Sequence, residues 1–527
     1  MKRIISALLA LVVLISLFTV FSVSSAHYMI GDLNGDGRIN MIDSIQFRRH
    51  LVGDYLLEDT RVADINRDGR VSVLDALCLM GAFSGNYVIV QPGDDTIDIS
   101  AYTVVIPAEP TVYETYAAEI LCDWVYDNCG VTLTPVNDTA DETEYEILIG
   151  NTSRDESNTG AEFLANQYLL KADGTKIVMA GKDYSIGSSV GELTYNKMNG
   201  SDVLINDIST DDTVMDYTPV EGDNVILMIG DGMGFNHIAY TAFYLRRIDP
   251  SYKGFIAESF PSKGDCTTYC LGPFKANQTF DKIVTDSAAA ATALSTGWKT
   301  QKGFLGLNGF ETEAKNIREV AYDLGYKTAV VSTEGITGAT PAGFTVHTNS
   351  RANAQDIIDQ QTALVENGEI TYLKGDSQDN LLADTKTALD LVSTDSDGFF
   401  VMIEEAYIDK ASHKIGVGEY TRQQLVSYVV RFNTAIQYAA TFAASRPDTV
   451  LIVTADHETG SLGPTGTIDA GGNHSNANVP VFAMGYGTEY FNGVTVDNTD
   501  IANFMASVYD ADPFGGDYTN INDNTIN

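Results

Sequence analysis

Seven residues of metal-ligating type recur in one kind of place. Asp231 follows the apolar run of "NVILMIGDGMG". Glu404 ends the run of "GFFVMIEEAYIDKASH", and Asp409 and His413 then follow four residues apart. Asp456 and His457 are adjacent at the end of "TVLIVTADHETG", and His474 stands in the glycine-rich "GGNHSNANVPVFAMG". Residues four apart on a helix share one face, so Asp409 and His413 can reach a single ion. Mixed imidazole and carboxylate donors favour Zn²⁺, and a set left open to substrate is catalytic rather than structural. Three of the chain's seven histidines fall in these contexts. The other four, His27, His50, His237 and His347, read as surface or packing residues.

The elements that must hold these residues are legible from the same runs. Continuous apolar segments joined by helical patterns predict buried, mainly parallel strands covered on both faces. Ligands of such sheets bind outside the carboxyl ends of the strands, where these polar residues collect. "KTAVVSTEGITGATPAG" brings Thr340 to the same edge after a short loop. "VTDSAAAATALSTG" adds an alanine-rich helix opened by Asp286 and Ser287. A serine there is ordinarily a cap. At a helix N-terminus aimed at an anion it can instead be a nucleophile.

Composition bounds the rest. A chain of 527 residues implies several domains, and 44% hydrophobic with 10% aromatic residues is a globular composition. A net charge of −39 repels nucleic acid and anionic membrane. Residues 1–26, with Lys2 and Arg3 before an apolar stretch and Ser24-Ser25-Ala26 after it, read as an export signal, cleaved or retained as an anchor. The expectation is a secreted protein with no membrane segment after cleavage. Cys122 with Cys129, and Cys266 with Cys270, are candidates for local disulfides in that setting, whereas Cys78 reads as a buried small side chain.

Near the N-terminus one pattern is used twice, in "GDLNGDGRINMID" and "ADINRDGRVSVLD". Oxygen donors fall at Asp32, Asn34, Asp36, Asn40 and Asp43, then at Asp64, Asn66, Asp68, Ser72 and Asp75. Gly37 and Gly69 allow the sharp turn, and Arg38 and Arg70 lend backbone carbonyls. Two such oxygen cages predict two Ca²⁺ ions. Each loop leads into one helix without a flanking first helix. This duplicated unit resembles a dockerin, and the resemblance implies a cohesin module of a scaffolding protein as partner. The apolar pairs Met41-Ile42 and Val73-Leu74 replace the Ser/Thr pairs common in that family. A calcium-stabilised spacer without a partner is the alternative.

Residues 223–490 resemble the alkaline phosphatase family through "IGDGMG", "TDSAAAATA", "ATPAG…SR", "E…IDK..H", "TADHE" and "NHSNANVPVFAMG", in that order. The resemblance implies one zinc on Asp409, His413 and His474 and a second on Asp231, Asp456 and His457. It implies a magnesium on Asp231, Thr340 and Glu404, Ser287 as nucleophile, and Arg351 as a bidentate clamp on phosphate. The substrate class would be phosphate monoesters. Relatives often carry Asp or His at the position of Gly338, so the expectation is a loosely held magnesium and a Lys410 free to reach phosphate. A phosphodiesterase of the same superfamily and a catalytically silent scaffold component are the competing readings. The Ser287, Thr340 and Glu404 set disfavours the first, and the complete ligand set disfavours the second.

The expected architecture is multidomain. A signal peptide (1–26) precedes a small all-α calcium module (27–86), a linker (87–97) and a small α/β accessory domain (98–215). An α/β catalytic domain with a mostly parallel sheet (222–510) and a polar tail (511–527) follow.

Overall fold

The computed structural model describes residues 96–275, 279–394, 397–467, 472–511 and 514–516, with positions 31, 33, 39, 41–51, 62–63, 65, 71, 75–76 and 79–80. Contacts divide the chain into one unit of 1–98 with 195–207 and another of 99–194 with 208–527.

In the first unit, helix α1 (Met41–Leu51) buries Phe47 among Leu33, Val62, Ala63, Ile65 and Leu79. The two repeats use one device. The Leu33 N–H donates to Asp43 Oδ1 (2.9 Å) and the Ile65 N–H to Asp75 Oδ1 (2.8 Å), and both aspartates are fully buried. The Gly31 N–H donates to the Val62 carbonyl (2.7 Å) and ties the repeats together. The other calcium positions, Asp32, Asn34, Asp36, Arg38, Asn40, Asp64, Asn66, Asp68, Arg70 and Ser72, lie outside the described residues.

Among its described residues the second unit holds two two-stranded ladders and two large sheets. The smaller is built from β1 (Thr103–Ile106), β2 (Val136–Asn137), β3 (Glu146–Ile149), β4 (Gln167–Asp173), β5 (Lys176–Gly181) and β6 (Met215–Asp216), in the order β2-β1-β3-β5-β4-β6. Helix α2 (Val112–Cys129) follows β1, opened by a Thr111/Glu114 capping box and closed by Gly130 in the left-handed region.

The larger sheet has eight strands: β7 (Asn224–Gly230), β8 (Ser262–Thr267), β9 (Lys327–Ser332), β10 (Tyr372–Lys374), β11 (Phe399–Glu405), β12 (Thr449–Thr454), β13 (Val479–Met484) and β14 (Thr495–Asp497). Their order is β10-β9-β11-β7-β12-β13-β8-β14. Only β13 runs against the others, pairing antiparallel with β12 and β8. Strands β7 and β11 are buried at every position, as their unbroken apolar runs require. The long helix Arg422–Ser445 packs between the sheets. Gly187 and Gly191 of the smaller domain meet it so closely that a Cβ would lie 2.2 Å from the Thr441 carbonyl oxygen and 2.5 Å from that of Ser445. Both sheets belong to this one compact unit.

Among the described residues neither local disulfide is formed, and Cys122, Cys266 and Cys270 are free thiols. Cys122 and Cys129 share helix α2, and seven residues of helical rise separate them by about 10 Å, beyond disulfide reach. Cys266 and Cys270 instead point at different carbonyls, those of Thr267 and Val284. Cys78 lies outside the described residues. Among the described residues no helix is long and apolar enough to cross a membrane.

Candidate active site

The parallel register aligns the strand ends. Glu404 on β11 is the partner of Ile229 on β7 and of Ser332 on β9, and Ile229 is also the partner of Thr454 on β12. Each chain therefore leaves the sheet at the same level, and the next residues (Asp231, Asp456, His457) or the next helix (Tyr407–Lys414, with Asp409 and His413) gather above one edge. Gly232 has φ 72°, and a Cβ there would lie 2.9 Å from the Asp409 Cα. Only glycine lets the turn after Asp231 approach that helix so closely. His474 arrives from a two-residue ladder in which it pairs with Thr459.

The donors form two triads, Asp409/His413/His474 and Asp231/Asp456/His457, each with ligand atoms within 4.8 Å of one another. In the first, the His413 and His474 Nε2 atoms are 3.0 Å apart and stand 3.3 and 3.5 Å from Asp409 Oδ1. Both Nδ1 atoms face carbonyls, of Gly472 and Thr285, so each must carry its proton there. Two Nε2 lone pairs then confront each other, which a cation between them resolves. Tetrahedral zinc with bonds of about 2.0–2.1 Å needs donors about 3.3 Å apart. The first triad has that spacing.

The second triad repeats the logic through Thr459. Its hydroxyl donates to Asp409 Oδ1 (2.6 Å), so the oxygen, 3.2 Å from His457 Nδ1, accepts the imidazole proton. That leaves the His457 Nε2 lone pair 3.1 Å from Asp456 Oδ2 and 3.6 Å from Asp231 Oδ1. Both carboxylate oxygens are buried without a hydrogen-bond partner, as are Thr340 Oγ1 and Glu404 Oε1. Buried polar atoms are rarely left so. Burial, reinforced most strongly by the Asp456 charge, raises the Asp231 carboxyl well above its usual range. Burial, reinforced by Glu334, does the same to Glu404. Burial pushes Asp456 up to about 6 and His457 down to about 3. Asp409 is the exception, because His474, His457 and His413 outweigh its burial and lower it. Among the described residues no cationic side chain hydrogen-bonds these oxygens. The residues present fit bound cations.

Ser287 opens helix Ser287–Thr296 but does not cap it. Asp286 does, its Oδ1 accepting the Ala289 N–H at 3.1 Å. Ser287 Oγ is thereby free to lie 3.2 Å from His457 Nε2, against the second triad. The Asp286 carboxylate also accepts the Gly303 N–H and lies 3.4 Å from Arg351 Nη1, and the Arg351 N–H donates to the Gly303 carbonyl. One carboxylate thus ties together the helix start and the arginine.

Residues 222–382 and 363–471 match the alkaline phosphatase family model, and residues 30–84 match that of the dockerin type I domain. The chain carries an alkaline phosphatase family domain behind a dockerin module. Alkaline phosphatase 3 of Bacillus subtilis (strain 168) is 31% identical over 306 residues, 46% of this chain and 63% of the relative. Alkaline phosphatase of Escherichia coli (strain K12) is 40% identical over 128 residues, 24% of this chain and 26% of the relative. The chain thus spans less than two thirds of the length of these curated relatives. The solved alkaline phosphatase of the Antarctic bacterium TAB5 is 27% identical, with a TM-score of 0.46, over 56% of this chain and 99% of that one.

In this alkaline phosphatase domain the structure brings Ser287, Arg351, Asp231, Thr340, Glu404, Asp409, His413, Asp456, His457 and His474 to one sheet edge. One expectation fails. Lys410 is not free: its Nζ donates to Glu334 Oε2 at 2.6 Å. Glu334, which the motif reading passed over, fills the space beside Gly338. Thr459 was also missed, although it is two residues past His457 in the same motif. His237 proves to be a fully buried packing residue. Its Nδ1 accepts the Gly234 N–H (3.1 Å), and its Nε2 meets Ser412 Oγ (2.9 Å), joining the turn after Asp231 to the helix of Asp409. Burial lowers its pKa to about 4, so the ring stays neutral in this role.

Proposed function

We propose that this domain hydrolyses phosphate monoesters through a phosphoserine at Ser287. The carrying observation is a serine oxygen at a helix start, 3.2 Å from a histidine nitrogen that belongs to a buried, cation-demanding donor set. In the first half-reaction Ser287 Oγ attacks phosphorus in line. The bond to the alcohol oxygen breaks, the alcohol leaves with a proton, and the phosphoryl group stays on Oγ. In the second half, water oxygen bonds to phosphorus and the Oγ–P bond breaks. Ser287 regains its proton as inorganic phosphate departs. Arg351, steadied through Asp286 and Gly303, clamps two phosphate oxygens as a planar fork. The N-terminal N–H groups of the Ser287 helix add positive potential toward the same dianion.

Two zinc ions would be held by Asp409/His413/His474 and by Asp231/Asp456/His457, and a magnesium by Asp231, Thr340 and Glu404. When bound, they supply Lewis acidity at the nucleophile, the leaving oxygen and the incoming water. Thr459 holds the Asp409 carboxylate and the His457 tautomer ready for that set.

Ser287→Ala tests the reading. The variant should fold and keep its metals while aryl phosphate turnover falls by orders of magnitude, and wild-type protein quenched in acid should carry phosphate on Ser287. Full turnover in the variant would sink it. We further propose that residues 28–86 bind two Ca²⁺ and dock to a cohesin on a scaffolding protein after export. Buried Asp43 and Asp75, doubled by the repeat, support this part. A titration of the full chain finding no calcium uptake would overturn it.

A further inference from the structure

Glu334 sits just beyond β9, in the loop leading to the short helix that carries Thr340, and its position is fixed from several sides. Its N–H donates to Ser332 Oγ (3.0 Å), and Ser332 in turn donates to Glu404 Oε2. Its carbonyl accepts the Asp376 N–H (2.7 Å), and a Cβ on Gly375 would come within 2.9 Å of that carbonyl oxygen. Its carboxylate binds Lys410 at 2.6 Å through one oxygen and is mostly shielded from solvent. The other oxygen lies where a side chain at position 338 would begin: a Cβ on Gly338 would sit 1.9 Å from Glu334 Oε1. Gly338 has φ −56° and ψ 156°, a conformation open to any residue. Only the Glu334 side chain fills the space, so a larger residue at 338 would displace that carboxylate.

The surroundings give this carboxylate a task. It is two residues along the loop from Ser332, whose hydroxyl holds Glu404, and its partner Lys410 follows Asp409 directly. Burial works against the Lys410 ammonium, and Glu334 overrides it. We infer that Glu334 is a positioning residue: it shields the outer side of the cation site at Asp231, Thr340 and Glu404, and it draws Lys410 back from the phosphate. The inference rests on the metal-site reading above. Gly338 is then a cradle for a carboxylate supplied by another residue, so the magnesium should be well retained.

The test uses the full chain loaded with zinc and magnesium. Magnesium and zinc per chain are measured against free Mg²⁺, and inhibition by inorganic phosphate is measured in parallel. Loss of an outer-shell partner typically costs ~10–100-fold in metal affinity. Glu334→Ala should weaken magnesium retention by about that factor, leave two zinc ions in place and make inorganic phosphate inhibit several-fold more tightly as Lys410 is released. Tighter phosphate binding is a gain that misfolding cannot produce. Gly338→Ala should reproduce both changes, because its methyl group evicts the carboxylate. The double variant should be no worse than either single one. Glu334→Gln keeps the shape without the charge and should fall between Glu334→Ala and wild type. Magnesium retention and phosphate inhibition unchanged in Glu334→Ala, or additive effects of the two single variants, would overturn the inference alone. Wild-type protein with two zinc ions and no third ion would overturn the metal-site reading beneath it.

Discussion

Two sets of buried carboxylates in one compact unit make opposite arrangements. Glu146, fully buried at the start of β3, receives both Nε and Nη2 of Arg154 at 3.0 Å, with the Thr143 N–H at 3.0 Å and Lys176 at 3.3 Å. Burial works to raise its pKa, but the Arg154 hydrogen bonds, the Thr143 N–H and the nearby positive charges prevail and lower it. At the carboxyl edge of the larger sheet Asp231, Asp456 and Glu404 are also buried, yet they keep oxygens without partners, and burial raises all three. A carboxylate satisfied by the protein's own cations is structural. One left unsatisfied among others of its kind holds a place for a cation from outside. Glu405, next to Glu404, marks the border, since Arg431 grips both of its oxygens at 2.5 and 2.6 Å.

Substitutions that remove one member of each set should separate these roles. The largest effect belongs to Asp456→Asn, which removes a donor from the second triad. Outer-shell losses already cost ~10–100-fold, so turnover should fall further than that and zinc content should drop by one ion per chain. Unchanged zinc stoichiometry would break the comparison. Next is Arg154→Met, which strands Glu146 with only part of its compensation. Breaking a buried pair from one side costs roughly 3–5 kcal/mol, so denaturant unfolding should register a loss near the lower figure while metal content stays constant. A change in zinc content would show that the two sets are not independent.

The smallest effect is a pH dependence in chelator-treated protein. Asp456 has a folded pKa of about 6 against an unfolded value of about 3.9. Its contribution to stability is therefore complete below about pH 4 and is lost as pH rises through about 6. Metal-free Asp456→Asn should match the metal-free wild type near pH 4 and exceed it at pH 7, by at most about 3 kcal/mol. Glu146 has the opposite sign, its contribution being present above the unfolded pKa and lost in acid. A variant no more stable than wild type at pH 7 would mean that burial is not what perturbs Asp456.

Much of the site could be read from the chain. Apolar runs such as "NVILMIG" and "TVLIVT" have only the interior of a parallel sheet as a fitting environment, so the residues that end them must lie at its carboxyl edge. The members of the two donor triads, Thr340 and Glu404 collect there by that placement, while their division among ions is only what the family resemblance implies. The alanine helix could be read as well, although which of Asp286 and Ser287 caps it could not, since both types serve and the choice depends on what else competes for each side chain. The duplicated dockerin loop motif is the extreme case, since each copy is spelled out inside twelve consecutive residues.

What the sequence determined by itself, then, is whatever short-range chemistry dictates: the strand runs, the helix starts, the donor types and the duplicated dockerin-like motif. Only the tertiary structure decided the pairings made across the fold. Glu334 is held beside Gly338, in its own loop, by Lys410 from 76 positions away and by the Asp376 N–H, and no bridge joins Cys122 to Cys129 because helix rise parts them. Thr459 settles the His457 tautomer only because the fold brings Asp409, 50 positions earlier, to accept its hydroxyl proton. The physical reason is that periodicity and propensity act over a few residues. Which buried charge finds a partner depends instead on loop paths that bring residues tens to hundreds of positions apart within hydrogen-bonding distance.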